Sequence, residues 1–311
     1  MLFPPPAVIE TEVFARLPDT YRLQGRQSEW LTAQLRGRDH HSLLEGPTFD
    51  RDGNLYVVDV PHGRVFRIAQ DGTFTLVSEY DGEPNGLALH RDGRMFVADH
   101  KRGLLLLDVA NGQVTPVLER PRLEGFKGLN DLTFASNGDL YFTDQGQTGL
   151  HDPTGRVYRL AADGTLACIL AGIPSPNGLV LDLDETALYV AVTRANNVWR
   201  VPFMLDGTPS KVGVFTYLSG IGGPDGMALD EEGGLAIAHI DLGTVWIFNA
   251  LGEPVYRVVS CTGRKTTNVA YGVHDRRTLY ITEGETGTVL RARLPVAGKP
   301  LYSHSAADDV S

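Results

Sequence analysis

The sequence predicts an all-β protein, a six-bladed β-propeller built from four-stranded blades. Three observations predict this fold: one phrase recurs six times, each repeat contains strand-like segments separated by polar turns, and no run of ten or more residues in the repeats keeps helical periodicity. The repeats follow one another at intervals of 40–48 residues and begin at Glu45, Asn85, Asn130, Asn177, Asp225 and Asn268. Four strands in about 40–50 residues are typical of one propeller blade.

Each repeat contains several short strands. In the first repeat, an apolar stretch that starts at Glu45 is followed by the turn Arg51-Asp52-Gly53 and then by the strand-like segments LYVVD and RVFRI. The spacers between repeats supply a fourth strand, as in FTLVSEY at 74–80 and LACILAG at 166–172. Aromatic and β-branched residues favour strands and Asp-Gly favours tight turns, so each repeat predicts an antiparallel blade.

The sixth repeat shows only three strands before the segment LPVAGKP. The alternating segment VIETEVFARL at 8–17 can supply the fourth strand, which would close the ring and leave no open edge. A free edge strand is the alternative for this segment. We expect residues 1–40 to hold the closing strand and a connector with a short helix in SEWLTAQLRG, residues 41–295 to form the propeller, and residues 296–311 to form a tail.

Composition is that of a large globular protein and narrows the possible partners. Of 311 residues, 42% are hydrophobic and 21% are charged, which suffices for a large core. The net charge of −10 is spread without a basic block, which argues against nucleic acid and anionic membranes as partners. Neither a secretory signal nor a membrane-spanning run is evident. We therefore expect a cytoplasmic monomer or weak homo-oligomer that acts on a small molecule.

The two cysteines, Cys168 and Cys261, are too few for a disulfide framework and lack zinc-site spacing. Cys168 lies in the apolar segment LACILAG, and Cys261 follows shortly after the apolar pair Val258-Val259. We expect buried free thiols at both positions.

Every repeat begins with a residue whose side chain carries an oxygen, and we call these the lead residues: Glu45, Asn85, Asn130, Asn177, Asp225 and Asn268. The innermost strands of a propeller all begin at the same mouth of the central channel, so the lead residues should ring that mouth. A turn would explain any one of them, but six in register favour a set of ligands. Two carboxylates among amides, with no thiolate, suit a hard cation, Ca²⁺ before Mg²⁺ or Mn²⁺.

The phrases LLEGPTF, GLNDLTF, PSPNGLVL and GGPDGMAL resemble those of the regucalcin/gluconolactonase (SMP-30/gluconolactonase/LRE-like) propellers, a family that includes organophosphate-hydrolysing relatives. The resemblance covers about residues 41–295. It implies one divalent cation at the channel mouth, with Glu45, Asn177 and Asp225 as ligands and Asn130 as a fourth ligand or a substrate contact. The cation it implies is Ca²⁺ first, with Mg²⁺, Mn²⁺, Zn²⁺ or Fe²⁺ as alternatives.

The chain departs from this family at two positions. Some relatives carry an Arg two residues before the third lead residue, where this chain has Gly128 beside Lys127, so a sugar-acid contact from that Arg is not expected. Some bind a second Ca²⁺ through an acidic residue three positions after the fifth lead residue, where this chain has Ala228. Asn85 and Asn268 have no ligand role in the family, and we expect them to serve turns or to support the ligands.

The loops after the second strand of each repeat open on the same mouth and carry further polar residues: Asp59, His62, Asp99, His100, Asp144, Gln145, Arg194, His239, Asp241 and Glu283. Taken singly, most are better explained as hydrogen-bonded rim residues. His239 is the exception, because the apolar run LAIAHIDLG predicts that it points into the channel. A satisfied core histidine is the alternative for it.

The predicted cation indicates the chemistry. A divalent cation polarises a carbonyl oxygen and lowers the pKa of bound water, which favours hydrolysis of an ester-like bond. Asp225 is the candidate general base or nucleophile, and Lys127 or His239 is the candidate that orients the substrate or stabilises the oxyanion. Asn130, Lys127 and His239 are the candidate substrate contacts.

Metal-independent hydrolysis is disfavoured, because the sequence has no G-x-S-x-G elbow, no supported Cys/His pair and no phosphate-binding loop. The leading hypothesis is a lactonase that opens a sugar lactone or a similar small hydroxy-acid lactone. A phosphotriesterase-like hydrolase and a non-catalytic Ca²⁺-binding propeller are the alternatives.

Overall fold

The computed structural model describes residues 4–304, which form six sheets arranged as a six-bladed β-propeller. The predicted fold class is therefore confirmed. The strands are β1 (Ala7–Glu10), β2 (Glu12–Arg16), β3 (Leu44–Phe49), β4 (Leu55–Asp59), β5 (Arg64–Ile68), β6 (Phe74–Glu79), β7 (Pro84–Leu89), β8 (Met95–Asp99), β9 (Gly103–Leu107), β10 (Val114–Leu118), β11 (Leu129–Phe134), β12 (Leu140–Asp144), β13 (Gly155–Leu160), β14 (Leu166–Ile173), β15 (Pro176–Leu181), β16 (Ala187–Val192), β17 (Asn197–Pro202), β18 (Gly213–Tyr217), β19 (Gly223–Leu229), β20 (Leu235–Ile240), β21 (Thr244–Phe248), β22 (Pro254–Val259), β23 (Thr266–Tyr271), β24 (Thr278–Glu283) and β25 (Thr288–Arg293).

The blades follow the order of the repeats. Blades one to five are β3–β6, β7–β10, β11–β14, β15–β18 and β19–β22, and blade six is built on β23–β25. The first strands of the blades contact one another in a closed ring, from β3 through β7, β11, β15 and β19 to β23 and back to β3. The lead residues therefore lie on the innermost strands, around the central channel.

The N-terminal segment closes the ring, but with a division that the sequence does not predict. Strand β2 pairs antiparallel with β25 and supplies the fourth strand of blade six, as predicted. Residues 7–10 do not join it, because β1 pairs in parallel with β22 at the outer edge of blade five. Thr11 lies at the crossing, where its hydroxyl donates to the carbonyl of Val259 (2.9 Å) and accepts from the amide of Cys261 (2.9 Å).

The predicted short helix of the connector is also present, as α1 (Glu29–Leu35). The hydroxyl of Ser28 accepts a hydrogen bond from the amide of Leu31 (3.2 Å) and caps the first turn. The helix ends at Arg36, which adopts a left-handed conformation. Short 3₁₀ turns occur at Asp19–Tyr21, Val60–His62, Thr193–Ala195 and Tyr302–His304.

The core consists of apolar layers between neighbouring blades. One layer joins blades two and three and contains Phe142 and Tyr158, whose rings stack with centroids 5.6 Å apart. Burying an aromatic side chain of this kind stabilises the fold by about 2–3 kcal/mol. Cys168 and Cys261 lie outside these layers, and both thiols are free and exposed. The expectation of buried thiols is wrong, because Cys168 lies on the outermost strand of its blade and Cys261 in the loop after β22.

A cavity of about 500 Å³ lies in the channel and reaches from Asn268 and Asp131 to residues 299–304. Its walls are mainly apolar residues of the inner strands, and residues 299–304 line its far end. The ring of Tyr302 stacks on Phe134 there, with centroids 4.9 Å apart. The rest of the predicted tail, 305–311, lies outside the described residues. No helix within residues 4–304 has both the length and the apolar character needed to cross a membrane.

The division of the N-terminal segment predicts different effects for two deletions. Removing residues 1–10 takes away only an edge strand. Removing residues 1–17 also takes the fourth strand from blade six and uncovers the apolar residues that pack against Ala15 and Leu17, which are 5% and 1% exposed. We expect the longer deletion to lower Tm by roughly 10 °C or more and the shorter one to cost about a third of that. Thermal unfolding followed by circular dichroism would measure both, and equal losses would contradict the assignment of β2 as the closing strand.

Candidate metal and catalytic site at the channel mouth

Strand pairing is irregular at the lead residue in all six blades. The register between the first and second strands shifts between Glu45 and Thr48 in blade one, and at the corresponding position in every other blade. Such bulges redirect a side chain out of the normal alternation. All six lead side chains are buried, with relative exposures of 4–9%.

Glu45 is held by two hydrogen bonds on one carboxylate oxygen. Its Oε2 accepts from the amide of Gly46 (2.7 Å) and from Nδ2 of Asn268 (3.0 Å), which belongs to the neighbouring blade. Burial raises the pKa of Glu45 well above its usual value, and the negative charge of Asp225 raises this pKa further. The second carboxylate oxygen, Oε1, accepts none of these hydrogen bonds. Glu45 is therefore fixed in orientation and keeps one oxygen available as a ligand.

Asp225 is paired with the amide of Asn177, the lead residue of the preceding blade. Burial raises the pKa of the Asp225 carboxyl well above its usual value, and the charge of Asp131 adds to this effect. The hydrogen bond from Asn177 and the positive charge of Arg194 lower this pKa and so act in the opposite direction. Asn177 and Asp225 thus interact across the boundary between blades four and five.

Asn130 is oriented by a short chain of amides. Its Nδ2 donates to Oε1 of Gln145 (3.0 Å), and Nε2 of Gln145 donates to the hydroxyl of Ser175 (3.0 Å). Because the amide nitrogen of Asn130 is engaged by Gln145, its Oδ1 is left for a cation or a substrate hydroxyl. Gln145, expected in the rim, therefore has a definite orienting role.

Asp131 is a third acid of this cluster and is not among the predicted site residues. Its Oδ2 accepts from Nδ2 of Asn268 (3.3 Å), so one amide group bridges Asp131 and Glu45. Burial raises the pKa of Asp131 to about 6, although hydrogen bonds from Leu132 and Asn268 lower it.

A sequence signal for Asp131 exists in the repeats. In four of the six repeats the residue after the lead residue is glycine, because the neighbouring blade comes too close for a side chain. A Cβ on Gly178 would overlap the backbone carbonyl of Asp225, and one on Gly226 would overlap the side-chain amide of Asn268. Blade three carries Asp131 at this position, so an acid replaces the glycine at the most crowded part of the ring.

The carboxylates at the ends of the second strands support the loops of the rim instead of facing the channel. Asp59 accepts from the amide of Leu43 (2.7 Å), and Asp144 accepts from the amides of Lys127 (2.7 Å) and Gly128 (2.9 Å). Asp99 and Glu283 bind loop amides in the same way. Asp59 and Asp144 also pair with Arg64 and Arg156. These four acids thus hold the loops that lead into the inner strands, in agreement with their interpretation as rim residues.

His239 does not present a free nitrogen to the channel. Its Nε2 lies 2.9 Å from the carbonyl of Ile221, and its Nδ1 accepts from Nε1 of Trp246 (3.1 Å). The ring is fully buried, and burial lowers its pKa. These contacts match the alternative interpretation, a satisfied core histidine that holds the loop before β19, and we assign it no proton transfer. His62 likewise contacts the carbonyl of His40 (3.1 Å).

Gly128 and His100 explain one departure from the family pattern. The ring of His100 lies over Gly128, so that a Cβ at position 128 would overlap the imidazole. The imidazole of His100 therefore fills the space that the arginine of some relatives would need at position 128. Burial lowers the pKa of His100 and so favours the neutral ring. Lys127, next to it, is exposed on the same loop, and Arg194 and Asp241 lie in the rim beside blades four and five.

The donor set fits a divalent cation. Glu45 and Asp225 supply carboxylates, Asn130 and Asn177 supply amides, and the cluster is desolvated and carries like charges that a cation would offset. Among residues 4–304 no group of three or more His, Cys, Asp or Glu side chains is arranged to hold a metal. The candidate site differs from such groups, because two of its four ligands are amides.

The fold and the oxygen-lined mouth define a class, that of six-bladed propellers with a polar site at one end of the channel. Residues 43–285 match the family profile described as the SMP-30/Gluconolactonase/LRE-like region, and the chain belongs to that family. The family resemblance noted in the sequence is therefore confirmed.

Relatives and solved structures agree with this assignment. The chain is 32% identical to lactonase drp35 of Staphylococcus aureus over 243 residues, which cover 74% of this chain and 72% of the relative. The structure of the calcium-binding protein regucalcin from Agrobacterium tumefaciens is 25% identical, with a TM-score of 0.76 and coverage of 95% and 99% of the two chains. A gluconolactonase from Xanthomonas campestris has the same fold at 24% identity, with a TM-score of 0.73 and coverage of 91% and 98%.

The like charges at the channel mouth predict that one acid can be neutralised with a gain in stability. Asp131→Asn keeps the shape and removes one of three mutually repelling carboxylates, so we expect Tm of the metal-stripped protein to rise by about 2–4 °C, the shift that about 1 kcal/mol produces in a large domain. Calorimetry in the presence of a chelator would measure it. Asp139→Asn is the matched control, because Asp139 accepts a hydrogen bond from Ala162 at the other end of the blade. A lower Tm for Asp131→Asn than for the wild type would contradict the repulsion.

Proposed function

We propose that the protein is a divalent-cation-dependent lactonase. The observation that carries this proposal is the pair of buried carboxylates, Glu45 and Asp225, held beside two amide side chains at the mouth of the channel. The family and the name of the relative lactonase drp35 support lactone hydrolysis as the reaction. A sugar lactone or a similar small hydroxy-acid lactone is the proposed substrate.

Glu45, Asn177 and Asp225 would hold the cation, with Asn130 as a fourth ligand or a substrate contact. Ca²⁺ is the proposed ion, because the ligands are all oxygens and because the similar regucalcin structure is described as a calcium-binding protein. When bound there, a divalent cation supplies Lewis-acid polarisation of a carbonyl oxygen and lowers the pKa of an adjacent water molecule.

Asp225 is the residue that we assign to the chemical step, as general base or nucleophile. The two carboxylates differ in how strongly the protein holds them. Glu45 is tied through Oε2 to a backbone amide and to Asn268, as suits a fixed ligand. Asp225 has the Asn177 amide as its hydrogen-bond partner, and its pKa is raised by burial, which makes it a better proton acceptor than an ordinary aspartate.

Lys127 is the proposed contact for the oxygen on which negative charge develops. Its side chain is exposed on the loop before β11. The backbone of this loop is fixed, because the amides of Lys127 and Gly128 both donate to the carboxylate of Asp144. Its ammonium group makes no ion pair with another described residue. Asn130, oriented by Gln145, would then bind a substrate hydroxyl or complete the ligand set.

The ligand assignment predicts the effect of changing one carboxylate. Glu45→Gln keeps the volume and removes one negative charge, so we expect the affinity for Ca²⁺ to fall about tenfold or more. Metal content measured by elemental analysis after dialysis at matched free metal would show this loss. Asn85→Ala is the control, because Asn85 is a lead residue outside the proposed ligand set and should leave metal content nearly unchanged. Equal metal content in wild type and Glu45→Gln would refute the assignment.

The catalytic assignment predicts a separate effect at Asp225. Asp225→Asn keeps one ligating oxygen and removes the base or nucleophile, so turnover of lactones at saturating metal should fall by at least about 100-fold. Proton release from a panel of lactones would measure turnover.

Two comparisons separate this role from others. His239→Gln should mainly lower Tm, because His239 contacts the carbonyl of Ile221 and the indole of Trp246. If Asp225→Asn kept the wild-type turnover and His239→Gln lost most of it, the roles of the two residues would be reversed. Wild-type protein that hydrolyses no lactone with any divalent metal would overturn the lactonase proposal. Hydrolysis of phosphotriesters alone would then favour the organophosphate-hydrolysing alternative, and inactivity on both would favour a binding propeller.

A further inference from the structure

Arg194 is fixed beside the strand that carries Asp225. It lies in the 3₁₀ turn Thr193–Ala195, between β16 and β17. The hydroxyl of Thr193 donates to the carbonyl of Pro224 (2.8 Å), one residue before Asp225. Gly223 allows this approach, because a Cβ there would overlap the carbonyl of Thr193. The turn is therefore fixed against the mouth of the channel, with the side chain of Arg194 exposed at the rim.

No acid of the described chain pairs with Arg194. Blades one, two and three end their second strands with Asp59, Asp99 and Asp144, and two of these carboxylates neutralise an arginine of their own blade. Blade four ends its second strand with Val192. Arg194 is exposed and forms neither an ion pair nor a hydrogen bond with a described residue. Its charge still acts on the site, because it lowers the pKa of Asp225 against the dominant effect of burial.

A second unpaired cation lies across the same loop. The loop between β12 and β13 passes between Lys127 and Arg194: a Cβ on Gly146 would lie 2.6 Å from Cβ of Lys127, and one on Gly149 would lie 3.8 Å from Cγ of Arg194. Lys127 is the proposed oxyanion contact, so Arg194 is left for a part of the substrate farther from the reacting carbonyl.

The negative charge of the mouth does not exclude an anion there. The acids that face this region are Glu45, Asp131, Asp225 and Asp241. A bound divalent cation offsets two of these charges. Arg194 lies at the rim, outside the buried cluster, where it meets solvent and any group that projects from the channel.

We propose that Arg194 binds a carboxylate substituent of the substrate, so that the enzyme prefers lactones of sugar diacids to neutral sugar lactones. The planar guanidinium presents two parallel donors that match a carboxylate, which a neutral hydroxymethyl group cannot use. This inference rests on the proposed lactonase function. It names Arg194 as the residue that determines specificity within that function.

The test compares two five-membered sugar lactones that differ only in a terminal carboxylate or hydroxymethyl group. With metal-loaded full-length protein, we expect a higher kcat/KM for the carboxylate lactone. Arg194→Met should lower the ratio of the two kcat/KM values about tenfold or more, mainly through KM of the carboxylate lactone, and Arg194→Lys should restore part of it. Added KCl should raise the KM of the wild type for the carboxylate lactone more than that of Arg194→Met.

Arg200→Met is the matched control, because it removes one positive charge from the same blade. Arg200 lies 3.5 Å from Asp182, at the end of the blade opposite the mouth. It should leave the ratio unchanged. Titration calorimetry with the ring-opened dicarboxylate gives a second readout, in which Arg194→Met should bind about tenfold more weakly than the wild type.

The outcomes separate this inference from the proposed function. Hydrolysis of both lactones with a ratio that Arg194→Met does not alter would overturn the role of Arg194 and leave the lactonase proposal standing. Hydrolysis of neither of these two lactones, with activity on others of the panel, would overturn the proposed preference. Hydrolysis of no lactone with any divalent metal would overturn the lactonase proposal, and calorimetry would then decide on the anion site alone. Equal binding of the dicarboxylate by wild type and Arg194→Met would overturn that site as well.

Discussion

The burial of like charges at the end of the channel is the constraint on which the rest of the site depends. Glu45, Asp131 and Asp225 lie on three different inner strands; burial raises the pKa of each, and the charge of Asp131 raises the pKa values of Glu45 and Asp225 further. Unpaired buried carboxylates cost several kcal/mol each unless hydrogen bonds or a counter-charge offset that cost. Asn268 and Asn177 offset a part of it, and they do so with one amide group each. Either protonation or a positive charge can offset the rest. The same residues that are unfavourable as bare carboxylates therefore suit a divalent cation.

The packing between blades keeps these acids at fixed distances. Threonine hydroxyls join neighbouring blades through backbone carbonyls near the lead residues: Thr143 donates to Asn177 (2.9 Å), Thr193 to Pro224 (2.8 Å) and Thr267 to Leu44 (2.8 Å). Each of these bonds places the start of one inner strand relative to the next blade. Because the lead residues lie on packed strands and not on loops, the protein holds their side chains in position before a cation or a substrate arrives.

The repeats made the fold predictable, because a phrase that recurs at a constant spacing places each lead residue at the same point of its blade. The split of the N-terminal segment was not predictable, since the alternation in 8–17 continues through Thr11, and only the bonds of Thr11 to blade five separate β1 from β2. Asp131 is not predictable from the lead residues either. It stands one residue after the lead position, where four of the six repeats have glycine.

His239 shows how a rim position can change its residue type while keeping its role. In blades one, two, three and six a carboxylate at the end of the second strand holds amides of the loop that leads into the inner strand. In blade five His239 holds the carbonyl of Ile221 in the corresponding loop, so the imidazole replaces the carboxylate and binds the opposite kind of backbone group. The apolar run around His239 could not distinguish this role from a catalytic one, because both require a buried, oriented ring.

Blade four departs furthest from this scheme, and the departure changes the charge of the rim. With Val192 in place of the acid, the turn that follows is held through the Thr193 hydroxyl, which leaves Arg194 without an internal counter-charge. Blade four also lacks the arginine that pairs with this acid elsewhere, because Asn197 stands opposite Val192 where Arg64 and Arg156 stand opposite Asp59 and Asp144. The acid and its arginine are thus both absent from this blade, and their absence leaves the rim there without a buried ion pair between described residues. Arg194 is an additional cation of the rim, and its proposed role as an anion contact depends on its place beside Asp225.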